Sequence, residues 1–507
     1  MSDRYIKKIL SSNVYDVAVE TPVDVARSLS KRLDNNILIK REDLQPIFSF
    51  KIRGAHNCIS QLTQVERDCG VVAASAGNHA QGVAMSAKYL GINATIVMPK
   101  TAPDIKVNAV RALGAEVILY GDTFPEAYAY SLTLVAESGM KYIHPFDDEH
   151  TIAGQGTVAM ELLRQVQGDI DAIFIPVGGG GLIAGMAVYI KYLRPGIKVI
   201  GVEPEDACCL KVALDAGERV ILSEVGNFAE GVAVAQVGER NFELAQKYVD
   251  EVITVTTDEM CAAIKDIYDD TRAVVEPSGA CALAGLKKYV DREKAQDQTL
   301  VTVSSGANLN FDRLRHVAER AEIGEGREAI IAAQIPEHPG SFEQFCTALG
   351  ERNITEFNYR YASDSQAQVF VGVTLKAGEG SAAPLLSQLA DNGIGAVDLS
   401  NNEMAKSHVR YMVGGHANVD NEVVYRFTFP ERPGALLKFL KKLGRPWNIS
   451  MFHYRNHGSA YGRVLVAMQV PMADKEVFEG YLDELGYAFN EETTNPAYQL
   501  FLAPETH

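Results

Sequence analysis

Between residues 70 and 204, short apolar runs rich in β-branched residues recur, and each gives way to a glycine-bearing loop and a stretch of helical period. They are GVVAAS (70–75), ATIVMP (94–99), AEVILY (115–120), AIFIPV (172–177) and KVIGVEP (198–204). Apolar runs of this length bounded by turn residues predict strands, and the stretches between them predict helices. Their alternation predicts parallel strands with helical crossovers over the first 320 residues. In such open sheets ligands sit beyond the carboxyl ends of the strands, so chemistry is expected in the loops there. After EIGEGR (322–327) the pattern changes. IPEHPGSFEQFCTALGERNITEFNYR (335–360) returns as FPERPGALLKFLKKLGRPWNISMFHYR (429–455), offset by 94 residues and then 95 after one insertion. Each copy predicts the βαββαβ order of a ferredoxin-like domain.

Several strand-end segments are chemically unusual. In IFSFKIRGAH (47–56), Lys51 sits among apolar neighbours at an expected strand-to-helix junction. A lysine there can simply lay its stem on Phe50 with the ammonium in water. SAGNHAQG (75–82) follows a strand and opens a helix; its small residues let a ligand approach the backbone, helix-start amides favour an anion, and Asn78 and His79 add side-chain donors. PVGGGGLIAG (176–185) has four consecutive glycines whose N–H groups can form a nest for phosphate. Gly179, Gly181 and Ala184 also satisfy GxGxxA, with Glu203 ending a strand downstream, as a dinucleotide site would require. That fingerprint is weak alone, and it falls midway along the chain instead of at the first strand–helix turn. VEPSGACALAG (275–285) and VTVSSGANLNF (301–311) complete the set, each more ordinary as a turn than as a site when taken singly.

Composition narrows the possibilities. A chain of 507 residues exceeds what one core supports, so at least two domains are expected. A net charge of −17 disfavours nucleic acid and anionic membranes as partners but leaves small zwitterionic ligands open. The N-terminus has no apolar core of signal-peptide length and no run approaches a membrane span, which predicts a cytoplasmic protein. Seven cysteines without CxxC or Cys/His metal spacing predict reduced core residues.

SFKIRGA, SAGNHAQGVA, VGGGGL, EPSGA and SSGAN occur in the order and spacing of the pyridoxal-phosphate enzymes of fold type II, the tryptophan synthase β-like α/β fold. The chain resembles their threonine and serine dehydratases. The resemblance implies pyridoxal 5′-phosphate carried by Lys51 as a Schiff base and flanked by Phe50, with Asn78 on the ring hydroxyl. It further implies Gly178, Gly179, Gly180, Gly181 and Leu182 on the phosphate, Ser305 at the pyridine nitrogen, and Ser75, Ala76, Gly77, Asn78 and His79 around the substrate carboxylate. Lys51, with its pKa lowered by desolvation, would then remove the Cα proton, and the β-hydroxyl would leave. Racemases of the family carry a second serine where this chain has Ala76, so racemisation is disfavoured. Some relatives bind a divalent cation with a strand-end glutamate, a carbonyl and an acid two residues on. Glu203 and Ala207 match, but Cys209 is a poor ligand for such an ion, so no metal is expected.

The duplicated region resembles the ACT-like regulatory domains of biosynthetic threonine dehydratases. It implies L-threonine as substrate with L-serine secondary, inhibition by isoleucine countered by valine, and a homotetramer. The expected division is 1–322 catalytic, 323–327 linker, 328–418 first repeat and 419–507 second repeat. Candidate effector residues are the Pro-Gly turns (Pro339, Gly340; Pro433, Gly434) with Asn358, Tyr359, His453 and Tyr454. Two other classes remain open at this point: a nicotinamide oxidoreductase using the 179–184 fingerprint, and an amino-acid sensor without catalysis.

Overall fold

The apolar runs fold as strands. In chain order these are β1 (Val23–Val25), β2 (Asn36–Arg41), β3 (Val71–Ala74), β4 (Ala94–Met98), β5 (Glu116–Leu119), β6 (Lys141–Tyr142), β7 (Ala172–Pro176), β8 (Lys198–Pro204), β9 (Glu251–Val255) and β10 (Thr299–Ser304). They lie in a first unit, Met1–Gly324, of a computed structural model whose second unit is Glu325–His507. The structure describes residues 2–502 except 227, 312, 351, 362–365, 377–378, 403–404, 407–408, 412–416, 418, 431–434, 444–446, 456–460, 496–497 and 499–501.

The first unit carries two sheets, β1-β2-β10-β7-β8-β9 and β5-β4-β3-β6. Every pairing is parallel except that of β1 with β2. β3, β4 and β7 are buried along their whole length, as expected where helices cover both faces of a parallel sheet.

Close helix contacts fix the geometry between the two candidate loops. The helix Glu149–Gln165 lies between the helix Lys51–Ser60 and the helix Gly181–Leu193. A Cβ at Gly154 would come within 2.6 Å of the Arg53 carbonyl, and one at Gly185 within 2.3 Å of the Ile152 carbonyl. Only glycine permits both approaches, so the helix that begins at Lys51 is held at a set distance from the helix that begins at the glycine loop. Lys51 does not follow a strand, contrary to expectation. It follows a turn in which Phe48 has φ 56° and Ser49 makes an isolated bridge to Gly306. The same helix start is therefore tied to the end of β10.

In the second unit, β11 (Glu328–Pro336), β12 (Ile354–Arg360), β13 (Gln366–Thr374) and β14 (Gly395–Asp398) make the first repeat, and β15 (Glu422–Pro430), β16 (Asn448–Arg455), β17 (Tyr461–Gln469) and β18 (Ala488–Glu491) the second. Helices Ser341–Leu349 and Ala383–Asp391 interrupt the first set, and Ala435–Leu443 and Lys475–Leu485 the second, giving βαββαβ twice. The repeats share one sheet, ordered β14-β11-β13-β12-β16-β17-β15-β18, joined by antiparallel pairing of β12 with β16. The segment 322–327 is not an open linker throughout, because helix Arg313–Gly324 runs through its first three residues. The cysteines are free, but Cys69 is exposed and Cys208 half-buried, so these two are not core filler.

Candidate active site

Lys51, the Ser75–His79 loop, the Gly178–Leu182 loop and Ser305 all line one cavity of about 1220 Å³ in the first unit. The Lys51 amine donates to the Pro145 carbonyl at 2.9 Å and stands 5.4 Å from the Phe50 ring centroid. Burial lowers its pKa to about 8, against the opposing pull of Glu276. About a tenth of the amine is then neutral at pH 7, against well under a thousandth for an ordinary lysine, which makes it a more competent nucleophile and base. The amine is thus tied to a backbone carbonyl at the cavity wall and is not laid along Phe50 into bulk water.

The glycine loop is compressed between two walls. A Cβ on Gly179 would lie 2.2 Å from the Phe146 ring, and one on Gly178 would lie 2.9 Å from the Val232 Cα, while Gly180 has φ +90°. Asn241 Nδ2 donates to the Gly179 carbonyl at 2.7 Å and to the Phe146 carbonyl at 3.0 Å, holding the loop from behind. The amides of Gly178–Leu182 make no hydrogen bond to protein among the described residues, although Gly178 and Gly179 carbonyls accept from Cys209 Sγ and Gly238 N. Successive unpartnered amides at a helix N-terminus fit a phosphate group.

The Ser75–His79 loop opens helix Asn78–Leu90. Ser75 Oγ accepts from Gly77 N at 3.3 Å, and the amides of Ala76, Asn78 and His79 have no protein acceptor among the described residues. His79 is not the side-chain donor expected. Its Nε2 donates to the Ile143 carbonyl at 2.8 Å, and burial, with Lys51 adding to it, holds the ring neutral with a pKa of about 3. Any carboxylate in this loop would be held by backbone amides. Asn78 Nδ2 donates to Glu276 at 2.7 Å, and Asn78 Oδ1 accepts from Asn308 Nδ2 at 2.7 Å. Ser305 Oγ donates to the Ser278 carbonyl at 3.2 Å.

Sequence reasoning missed Glu276, Asn308, Pro145, Phe146, Val232 and Asn241. Glu276 and Asn308 sit inside motifs already singled out, and a polar side chain within each motif was the available signal. Of the others, Pro145 and Phe146 lie in a loop, Val232 ends the short turn Glu230–Val232 and Asn241 lies in helix Glu239–Tyr248, none within a chemical pattern of its own. Glu203, the acid of the dinucleotide fingerprint, accepts from the amides of Leu210 and Lys211 at 2.9 and 2.8 Å, and burial raises its pKa to about 7. It is thus engaged with a helix start instead of a ribose. Cys209 Sγ lies 3.7 Å from Glu203, and no cluster of metal-ligating side chains occurs among the described residues. No helix among them is long and apolar enough to cross a membrane.

The four candidate effector residues of the second unit fall on two faces. Tyr359 and Tyr454 are buried in the core cluster with Phe342 and Phe452, the Tyr359 hydroxyl donating to Glu337 at 2.5 Å. Asn358 and His453 pair in register across β12 and β16, and Asn358 Nδ2 bonds Glu356 and the Arg410 carbonyl. Alternation along a strand prevents one ligand on one face from using all four side chains. Pro339 and Gly340 form the turn before helix Ser341–Leu349, with Gly340 at φ +91°; Pro433 and Gly434 lie outside the described residues.

A half-buried amine and an anion-ready glycine loop lining one cavity make a site suited to a phosphate-bearing carbonyl cofactor, and family comparison identifies it. The chain belongs to the pyridoxal-phosphate dependent enzymes, matched over residues 14–306, and to the threonine dehydratase family, whose C-terminal regulatory domain is matched twice, over 319–409 and 413–502. The biosynthetic L-threonine dehydratase of Burkholderia multivorans is 54% identical over 506 residues, covering 99% of this chain and all of that one. That of Pasteurella multocida is 54% identical over 500 residues, covering 98% and 97%. The processed form of threonine deaminase isoform 2 from Solanum lycopersicum superposes with a TM-score of 0.62 at 51% identity, covering 63% of this chain and 93% of that one. Pyridoxal phosphate is the cofactor, which rules out the nicotinamide alternative.

Proposed function

We propose that this protein converts L-threonine to 2-oxobutanoate and ammonia, as the regulated entry to isoleucine synthesis. The convergence of Lys51, Asn78, the Gly178–Leu182 amides and Ser305 on one cavity carries this reading. Bound pyridoxal phosphate supplies an aldehyde for amine exchange and a conjugated ring that makes the substrate Cα–H acidic. Lys51 would hold the cofactor covalently, and its free Nζ would be the base that takes the Cα proton. The Gly178–Leu182 amides would hold the phosphate, Asn78 would serve the ring hydroxyl, Phe50 would flank the ring and Ser305 would serve the ring nitrogen. Backbone amides of Ser75–His79 orient the substrate carboxylate, and the aromatic walls Phe50 and Phe146 limit water. In net terms the Cα proton and the β-hydroxyl are lost as water, and addition of water to the released enamine gives 2-oxobutanoate and ammonia. Ala76 offers no acid or base at the position where the racemases of the family carry a second serine, which favours elimination over racemisation. A 2-oxobutanoate assay with threonine, run with and without isoleucine, tests the reading; absence of product from cofactor-loaded protein would sink it.

Serine differs from threonine by one methyl, and a pocket discriminates such a difference by about 1–3 kcal/mol, or roughly 10–200-fold. Serine should therefore be a slower but measurable substrate in kcat/KM. Rejection by more than about four orders of magnitude would contradict a pocket of this kind.

We assign isoleucine and valine sensing to the duplicated unit, and assembly to a homotetramer. An effector there must bind the active and inactive states unequally, since equal affinity shifts nothing. A chain ending at Gly324 retains every proposed cofactor contact and should deaminate threonine without responding to isoleucine. Undiminished inhibition of that shortened enzyme would place the effector within the first unit. Tyr359, whose hydroxyl reaches Glu337, is the first candidate contact within the duplicated unit.

A further inference from the structure

Glu276 is the buried acid of the cavity wall to which the proposed mechanism gives no task. It is 8% exposed and precedes helix Pro277–Glu293, whose first residue is Pro277. Its Oε1 accepts from Ser278 Oγ and Asn78 Nδ2, both at 2.7 Å. Two glycines make room for that oxygen: a Cβ on Gly306 would come within 2.6 Å of it and one on Gly231 within 3.3 Å. No cation forms an ion pair with Glu276 among the described residues. The charged groups that bear on it are Lys51 from helix Lys51–Ser60, Lys106 from helix Asp104–Ala112 and Glu230 from the turn Glu230–Val232. Lys106 and Glu230 pair with each other, and Arg313 also bonds Glu230, at 2.6 Å. Burial pushes the Glu276 carboxyl above its ordinary range, against the hydrogen bonds from Ser278 and Asn78. Lys51, whose protonated form Glu276 favours, lines the same cavity and is the amine left for that carboxylate to act on.

The hydrogen bonds also fix the Asn78 amide from both ends. Asn308 Nδ2 bonds the Ile47 carbonyl at 2.8 Å, so it is a nitrogen, and the atom of Asn78 that it also reaches must be the oxygen. The other end of Asn78 meets a carboxylate and must be the nitrogen, with one N–H directed to Glu276 and the second left for the cavity.

We propose that Glu276 is a positioning residue with an electrostatic role: it orients the Asn78 amide toward the cofactor ring hydroxyl and holds a negative charge that stabilises the protonated linkage between Lys51 and the cofactor. This rests on the pyridoxal-phosphate reading above. A carboxylate beside a buried cation favours the protonated form, whereas a neutral amide of the same shape keeps the hydrogen bonds and removes only the charge.

The test uses the full chain loaded with pyridoxal phosphate, as wild type, E276Q and E276D. Visible absorption of the Lys51–cofactor linkage is recorded from pH 5 to 10, and cofactor affinity is measured by equilibrium dialysis. E276Q should lower the titration midpoint by about one pH unit or more, or bring into range a midpoint that lies above it in the wild type. E276D, which keeps the charge but withdraws it from Asn78, should stay nearer the wild-type midpoint and bind cofactor about tenfold more weakly. Identical titration of E276Q and wild type, including absence of titration in both, overturns the electrostatic role. Should E276Q fail to fold, E276D and Asn308→Ala decide: Asn308→Ala frees the Asn78 amide and should weaken cofactor binding about tenfold, and wild-type affinity in both variants overturns the proposal. A wild-type protein that takes up no cofactor would refute the pyridoxal-phosphate reading, a different outcome from a coloured wild type with an unshifted E276Q.

Discussion

Lys51→Ala should reduce threonine turnover by at least about 10⁴-fold, because one substitution removes both the covalent tether and a general base that alone contributes on the order of 10²–10⁴. The phosphate cradle should survive, since the Gly178–Leu182 loop is held by Asn241, Phe146 and Val232 and not by Lys51. The variant is therefore expected to bind the cofactor reversibly, with a spectrum unlike that of the covalent form. Lys51→Arg should fail as completely, because a guanidinium stays charged and forms no bond with the aldehyde. Assay of 2-oxo acid release on cofactor-saturated protein checks this, and activity within about tenfold of the wild type would remove Lys51 from the mechanism.

Glu161→Ala should destabilise the first unit by about 3–5 kcal/mol, the cost typical of stripping one partner from a buried ion pair. Glu161 is fully buried on helix Glu149–Gln165 and accepts from Lys40 Nζ at 2.6 Å, from Arg53 Nη1 and Nη2 at 2.6 and 2.9 Å, and from the Tyr15 hydroxyl at 2.8 Å. Glu42 takes the other edge of Arg53, at 2.7 and 2.8 Å. Burial works to raise the Glu42 pKa, but Arg53 and Lys40 outweigh it and leave the group below its ordinary value. Two acids and two bases thus balance, and removing Glu161 leaves Lys40 and Arg53 sharing one carboxylate in a site closed to water. Arg53 lies on the helix that begins at Lys51, so the loss should also loosen the cofactor site. Thermal unfolding of the cofactor-loaded protein should shift down by about 4–7 °C for a unit of this length. A shift below about 2 °C would mean that the cluster relaxes or admits water.

The phosphate loop and the lysine were legible because their chemistry demands local patterns: consecutive glycines for amide access, and a lone amine among apolar residues. Phe146 and Val232, which squeeze that loop, were not legible, since each reaches it from a distant segment through tertiary packing. β2 escaped notice for another reason. NILIKR carries Lys40 and Arg41, which look like surface charges until Glu161, Glu42, Asp24 and Asp43 are brought against them by the fold. The helix Lys51–Ser60 is similarly disguised, because its polar Arg53, His56 and Asn57 are all buried. His79 was misjudged because a sequence displays a donor without displaying the Ile143 carbonyl that occupies it. In the second unit the duplication was plain from residue identity, but the splitting of its candidate residues between two faces required the register of β12 against β16.

That seam has a consequence for assembly. β12 and β16 meet as two subunits of a symmetric dimer would, yet they belong to one chain, so their association is set by a fixed effective concentration and does not weaken on dilution. A single repeat would present β12 as an open edge, competent to recruit any copy with a matching strand. Fusion of two repeats retires that edge and leaves the sheet to end at β14 and β18, which are only four residues long. It also releases the two halves from identity. In a dimer of identical modules every substitution appears on both sides of the axis, whereas here Asn358 faces His453, and each half is free to acquire its own preference for a small molecule.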